Sequence, residues 1–499
     1  MRCSVFLCSA LLLAASCHVG SGTEPVDPDR GDTRALCVQG DDECDFGCAS
    51  PDTDCSPQEI TRGDHVIAEI TAFNAGLTEA ARTEKYCAMR TSPFVFYRGT
   101  NHLFWSDFAG DERLSRFGGA DTRIWLQGDL HVYNYGSFDN DDGRVVYDLN
   151  DFDEVVIADY QWDVWRMAIS LVLVDDDLGY FSDNQMDDML DAFTEHYLDS
   201  IASYRGNDDE LATTFDADHA YGRLDEFLSD VENDSTRKDM LRKWTNESQG
   251  VRVFDFEYEK LAPVEPAIRQ ALLAAMGDYT ATTGGSIADI PGYFTVKDIA
   301  RRLHAGTGSL GVARYYILIE GASDDPDDDR ILDVKRQPPP SAYPHLAAEE
   351  QALLDGAVSH DAERAVLGYR ALLADADDHL GWLSLPAIAD EPAGVFSVRE
   401  RSPYKEAFPV EILDTETRFE KLAEQWGTIL ATAHARSDKD YRDDIIDYSF
   451  DKNVDERTDG QHAEFRQQVR ELARSQAAQV ELDYRAFIGL LATEALCQP

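Results

Sequence analysis

The chain has 499 residues, 43% of them hydrophobic, and 95 acidic against 45 basic side chains give it a formal charge of −50. That length and apolar content can bury a large core with room for two or more lobes, which argues against a disordered chain. A surface this negative repels phosphate backbones, so nucleic acid is not an expected partner; it suits high solubility, a saline habitat or a cationic substrate.

Met1-Arg2 and an apolar run from Val5 to Ala15, closing in Ala-Ala-Ser-Cys17, have the form of a secretory signal over residues 1–17. The run is too short for a permanent membrane span. Cys17 after small residues resembles a bacterial lipoprotein box. The expectation is an exported protein, either a lipid-anchored envelope lipoprotein (periplasm or outer membrane) or a secreted one. Any membrane attachment would run through that N-terminal anchor. Residues 18–57 form a polar tether and a knob in which Cys37, Cys44, Cys48 and Cys55 fit two disulfides of open connectivity. Zinc on these cysteines and Ca²⁺ on the neighbouring aspartates are the competing readings. Cys87 and Cys497 pair with each other or stay reduced.

Residues 58–86 carry the apolar spacing of an amphipathic helix. Ser92 to Gly99 is a strand-like apolar run ending in Arg98, a phosphate or carboxylate clamp or else a structural ion pair. A short strand, Ile124 to Leu126, delivers Gln127-Gly128-Asp129. The turn Asn140-Asp-Asp-Gly143 then predicts a hairpin over Gly143 to Asp153, β-rich from Arg144 to Leu149. Asp129 lies five positions before Asn134, and carboxylates follow at Asp148, Asp151 and Asp153. Phosphoryl transfer needs such a set: a base for a hydroxyl, here Asp129, and hard oxygens for Mg²⁺. Asn134 and Asp151 are the expected metal ligands, with Asp153 and Asp148 as substitutes, while His131 braces the loop. The helix from Trp162 is apolar nearly all round and therefore buried, with Asp163 placed to cap backbone N–H groups near its start. Residues 185–290 read as mostly helical.

Gly306-Thr-Gly308-Ser309-Leu-Gly311 precedes an aromatic, β-branched run, so the loop turns between two strands rather than opening a helix. A glycine loop of that kind covers nucleotide phosphates with backbone N–H groups. A second strand from Ile331 ends in Lys335, placed to pair with phosphates. Glu350 and Glu363, on the following helices, are the alternatives for a glutamate partner of Lys335. Val395 to Arg399 is a strand, and Leu422 to Ser437 an amphipathic helix. The nucleotide half thus follows the catalytic half, an order that circular permutation produces.

The 127–153 region resembles the catalytic loop and metal-binding strand of aminoglycoside-phosphotransferase-like kinases. Phe96-Tyr-Arg-Gly, Gly128-Asp-Leu-His with Asn134, Asp148-Leu-Asn-Asp-Phe-Asp-Glu, Trp162-Asp163, Gly306 to Gly311, Val334-Lys335, Val398-Arg399 and Ala433-His-Ala-Arg-Ser together look like the bacterial domain of unknown function 2252 family. The resemblance implies an α+β, two-lobed protein-kinase-like fold in circularly permuted order. A helical catalytic lobe at 58–295 comes first, a β-rich nucleotide lobe at 296–415 second, and helices at 416–499 pack back on the first. ATP or another nucleotide with Mg²⁺ would be the cofactors, held by Gly306, Gly308, Ser309, Gly311, Lys335 and Arg399, with a small-molecule or protein hydroxyl as acceptor. Because ATP is scarce outside the cell, a non-catalytic ligand-binding protein or pseudokinase is the second reading, and carboxylate-based hydrolysis a third.

Overall fold

A computed structural model describes residues 57–248, 251–285, 287–304, 310–388, 391–494 and 496–497. Cys17, Cys37, Cys44, Cys48, Cys55, Gly306, Gly308 and Ser309 lie outside the described residues. The fold is mixed α+β.

Helix Gln161–Leu178 is buried from Gln161 through Asp175, as an all-round apolar helix must be. Helices Asp183–Tyr204, Glu416–Arg436 and His462–Thr493 share one hydrophobic cluster with it. Gly427 permits the close crossing of two of them, because a Cβ there would lie 2.2 Å from the Phe193 carbonyl oxygen. On the edge of this core β1 (Arg123–Leu126) pairs antiparallel with β4 (Val156–Asp159), and β2 (Tyr135–Asp139) with β3 (Val145–Leu149). Asp139 stands opposite Val145, so the hairpin turn falls at the Asn140–Gly143 signal.

After a short hairpin of β5 (Thr245–Ser248) and β6 (Val251–Phe254), the chain builds a six-stranded antiparallel sheet. It consists of β7 (Leu261–Pro263), β8 (Val296–Arg302), β9 (Arg314–Ile319), β10 (Arg330–Arg336), β11 (Gly381–Leu385) and β12 (Gly394–Glu400), in the order β11-β12-β10-β9-β8-β7. Period-two alternation sorts its side chains. Tyr315, Ile317, Leu332 and Val334 pack against Ile268, Leu272, Met276 and Tyr279 of helix Pro266–Thr280. Asp333 and Lys335 therefore point to the opposite face, toward the helical core.

Three expectations are corrected here. The Ser92–Gly99 run is helix, Pro93–Gly99, not strand: the Ser92 hydroxyl caps Val95 N at 3.3 Å and Pro93 sits in the first turn. That Ser-Pro start outweighs the β-propensity of the aromatic residues after it. The boundary at 296 falls inside the sheet unit, because β7 and the 266–280 helix already belong to it. Helices Ala348–Ala357 and Asp361–Leu372 contribute Leu354, Val366 and Leu372 to the large helical core instead of a separate sheet core.

Cys87 and Cys497 form a disulfide that ties helix Glu79–Met89 to the segment after the last helix. Among the described residues no helix is long and apolar enough to cross a membrane.

Candidate functional site

The turn after β1 is held by backbone geometry and one buried carboxylate. Gly128 has φ +83°, and a Cβ there would lie 2.0 Å from the Glu154 carbonyl oxygen, so only glycine fits. Asp163 accepts the backbone N–H of Gln127 at 2.7 Å and of Gly128 at 3.0 Å. The Gln127 side chain accepts from Asp129 N at 2.9 Å and donates to the Asp151 carbonyl at 2.7 Å, clipping the two acidic turns together. Asn134 Nδ2 donates to the Asp129 carbonyl at 2.9 Å. Its Oδ1 accepts no hydrogen bond among the described residues.

A cleft of about 340 Å³ opens over these turns. Asp129, His131, Asn134, Asp151 and Asp153 line it from the helical unit, Lys335 from β10, and Arg98 from the 93–99 helix. Leu310 and Val312, on either side of Gly311, close it from the segment joining β8 to β9. Residues spread over more than two hundred positions of sequence therefore meet, although Arg399 does not join them. Arg399 lines a second cavity on the same sheet face, and a small recess bordered by Asp151, Lys335 and Arg399 lies between the two.

Lys335 Nζ is 3.5 Å from Asp151 Oδ1 and in direct contact with Asp153 Oδ2, while Gln337 donates to Asp153 Oδ1 at 2.7 Å. Neither expected glutamate reaches that lysine. Glu350 Oε1 lies 3.5 Å from Arg123, and Glu363 accepts the Ser359 N–H at 2.7 Å. The reason is positional, since both helices stand against the helical core and present other groups to the sheet.

Asp129 is ion-paired with the fully buried Arg166, whose Nε lies 2.9 Å from Oδ1. Burial, Glu154 and Asp151 nevertheless push the Asp129 carboxyl up to about 7 against the pull of that guanidinium. A carboxyl titrating there is suited to taking a proton near neutral pH. Burial opposes ionisation of Asp151 too, but Lys335, Lys405, Arg399 and Arg314 outweigh it and hold the group well below the usual carboxylate range. Asp151 also has φ +60°, a left-handed backbone that aspartate tolerates better than most residues. His131 Nδ1 accepts the Tyr133 N–H at 3.2 Å, its Nε2 lies 3.3 Å from Arg98 Nε, and burial, with the Arg98 and Arg166 charges, holds its pKa well below the usual histidine value. Arg98 itself stacks over Tyr133 at 5.3 Å and has no carboxylate within ion-pair distance among the described residues.

Sequence reasoning missed several polar lining residues, among them Lys85, Asn101, Glu154 and Ser341. Glu154 accepts from Ser341 N at 2.6 Å and Oγ at 2.7 Å, bridging the acidic turn to the chain after β10. Lys85 is 1% exposed, stands 5.1 Å from the Phe73 ring, and is lowered by burial to about 8. A lysine on an amphipathic helix carries no sequence signal of burial, so only the packing reveals it. Asn134 Oδ1 and the Asp151 carboxylate offer hard oxygens facing one cleft, a donor set that fits Mg²⁺.

This geometry defines a mixed α+β protein with a carboxylate- and lysine-lined cleft between a helical core and an antiparallel sheet. The chain belongs to the family described as uncharacterised proteins conserved in bacteria, domain of unknown function 2252, whose model matches residues 78–490. Comparison with curated proteins and with solved structures returns no match.

Proposed function

We propose that the cleft binds a nucleotide with Mg²⁺ and transfers a phosphoryl group to a hydroxyl acceptor, in a permuted kinase-like arrangement of two lobes. The observation that carries this reading is the meeting of Asp129, Asn134, Asp151 and Lys335 in one cleft, bordered by Leu310 and Val312 ahead of β9. Asp129 would orient the acceptor hydroxyl and accept its proton. Asn134 and Asp151 would hold the metal, with Asp153 beside them, and bound Mg²⁺ would supply charge neutralisation for the phosphates; Asp148, expected as a substitute, does not line the cleft and instead accepts the Leu149 N–H at 2.7 Å. Lys335 and the glycines at 306, 308 and 311, with Ser309, would contact those phosphates, while His131 and Asp163 support the turn. Arg98 would clamp an anionic group of the substrate. Export, and lipidation at Cys17, belong to the same proposal and are read out by mass spectrometry of the mature N-terminus.

The test is thermal unfolding of the full chain with ATP and Mg²⁺, since a ligand bound only by the folded state raises its stability. The expected result is a rise in midpoint that Asp151→Asn abolishes and Asp129→Asn retains, with transfer to an acceptor lost in both. No rise at millimolar ATP and Mg²⁺ would refute nucleotide binding. The ion pairs of Lys335 with Asp151 and Asp153 favour a second reading, a non-catalytic binding protein, because they occupy the groups that transfer requires. Binding without turnover would select it.

A further inference from the structure

The second cavity has a volume of about 500 Å³ and shares no lining residue with the cleft around Asp129. Its walls are the polar face of the sheet, the β2–β3 turn and the segment after β12. Most of its charges cancel locally: Arg237 pairs with Glu400, Arg314 with Asp333, Arg330 with Asp328, and His379 with Asp377. Arg399, Arg401 and Lys405 have no carboxylate within ion-pair distance among the described residues. Arg401 stacks over Trp244 at 4.9 Å, and its Nε is buried without a hydrogen-bond partner.

With Arg302, four cations line the cavity without an ion pair among the described residues, against two unpaired carboxylates, Asp141 and Asp378, a local cation excess in a chain of formal charge −50. Arg399 and Arg401 are half-buried and Lys405 is exposed at the cavity mouth, and holding like charges close together costs free energy that an anionic ligand offsets. The Arg399 charge, then burial and Arg314, push Lys405 down to about 7 against the opposing pull of Asp151 and Asp333. Asp141 and Asp378 lie together on the opposing wall, and burial, then Asp378 and Asp377, raise the Asp141 carboxyl to about 8. Planar guanidinium forks match tetrahedral oxyanions through paired N–H groups.

We propose that this cavity is a binding site for a small ligand carrying at least two phosphate groups, held by Arg399, Arg401 and Lys405. The site stands apart from the transfer reading and holds whether or not the Asp129 cleft binds nucleotide.

Isothermal titration of the full chain with inorganic pyrophosphate tests it, with inorganic phosphate and citrate as comparison probes. Pyrophosphate is expected to bind more tightly than either, with affinity falling as salt rises. Lys405→Gln and Arg401→Gln should each weaken it at least about tenfold, and Lys85→Gln in the other cleft should leave it unchanged. Lys405 makes no hydrogen bond or ion pair among the described residues, so its variant folds normally and keeps the test readable. The proposal is overturned by no binding at millimolar pyrophosphate, by undiminished binding in Lys405→Gln, by loss in Lys85→Gln, or by citrate binding equally well.

Discussion

Asp163 gives the most direct handle on the turn that carries Asp129. Its carboxylate is 1% exposed, accepts the N–H groups of Gln127 and Gly128 at 2.7 and 3.0 Å, and lies 3.4 Å from His434 Nε2. Asp163→Ala strands two buried N–H donors at about 1–3 kcal/mol each and leaves His434 without that partner, for a loss of roughly 3–5 kcal/mol. Asp163→Asn keeps one acceptor oxygen and turns an amide N–H toward the other donor, so it costs about 2 kcal/mol. For a chain of this size these losses lower the thermal midpoint by roughly 2 °C per kcal/mol at most. Thermal unfolding supplies the midpoint, and hydrogen exchange reads the Gln127 and Gly128 amides, which should lose protection locally. An Asp163→Ala protein with an unchanged midpoint and both amides still protected would refute the bracing argument.

Other outcomes follow from the same geometry. Gly427→Ala should destabilise by roughly 2–4 kcal/mol in urea unfolding, because the clash with Phe193 backbone exceeds the gain of about 1 kcal/mol in helix propensity; a more stable variant would contradict the close crossing. Cys87→Ser should lower the midpoint under oxidising conditions and match the wild type under strong reductant, since the Cys87–Cys497 bond constrains the unfolded chain over a separation of 410 residues. Stability should also peak at mildly acidic pH. Burial raises Asp129 and Glu210 to about 7 and Asp148 and Asp159 to about 6, above their unfolded values. The folded state therefore binds more protons, and stability declines as pH rises through those values toward 8. Below about pH 4 the lowered groups Asp151 and Asp377 reverse the trend. Midpoints rising steadily from pH 5 to 8 would count against the buried carboxyls.

Local chemistry made several parts legible in the residues themselves. The Asn140–Gly143 turn, the lysine-ending strand and the all-apolar helix after Trp162 each obey a short-range rule, and each is found where that rule puts it. The five-residue spacing of Asp129 and Asn134 is likewise local, since it places the amide within reach of the Asp129 carbonyl. The partner of Lys335 was not legible. Helical glutamates after a lysine strand suggested Glu350 or Glu363, but which carboxylate reaches the amine depends on how the sheet lies over the acidic turn.

Sequence by itself determined the acidic composition, the β-rich runs of β9 and β10, and the motif order that sets the Asp129 turn before the lysine strand. Those properties depend on neighbours a few positions apart. Tertiary structure alone decided that Lys85 is buried, that Glu154 ties to Ser341, and that Arg399 serves a different cavity from Asp129. Such facts arise where segments distant in the chain exclude water together, and no local spacing encodes which charges will share that space.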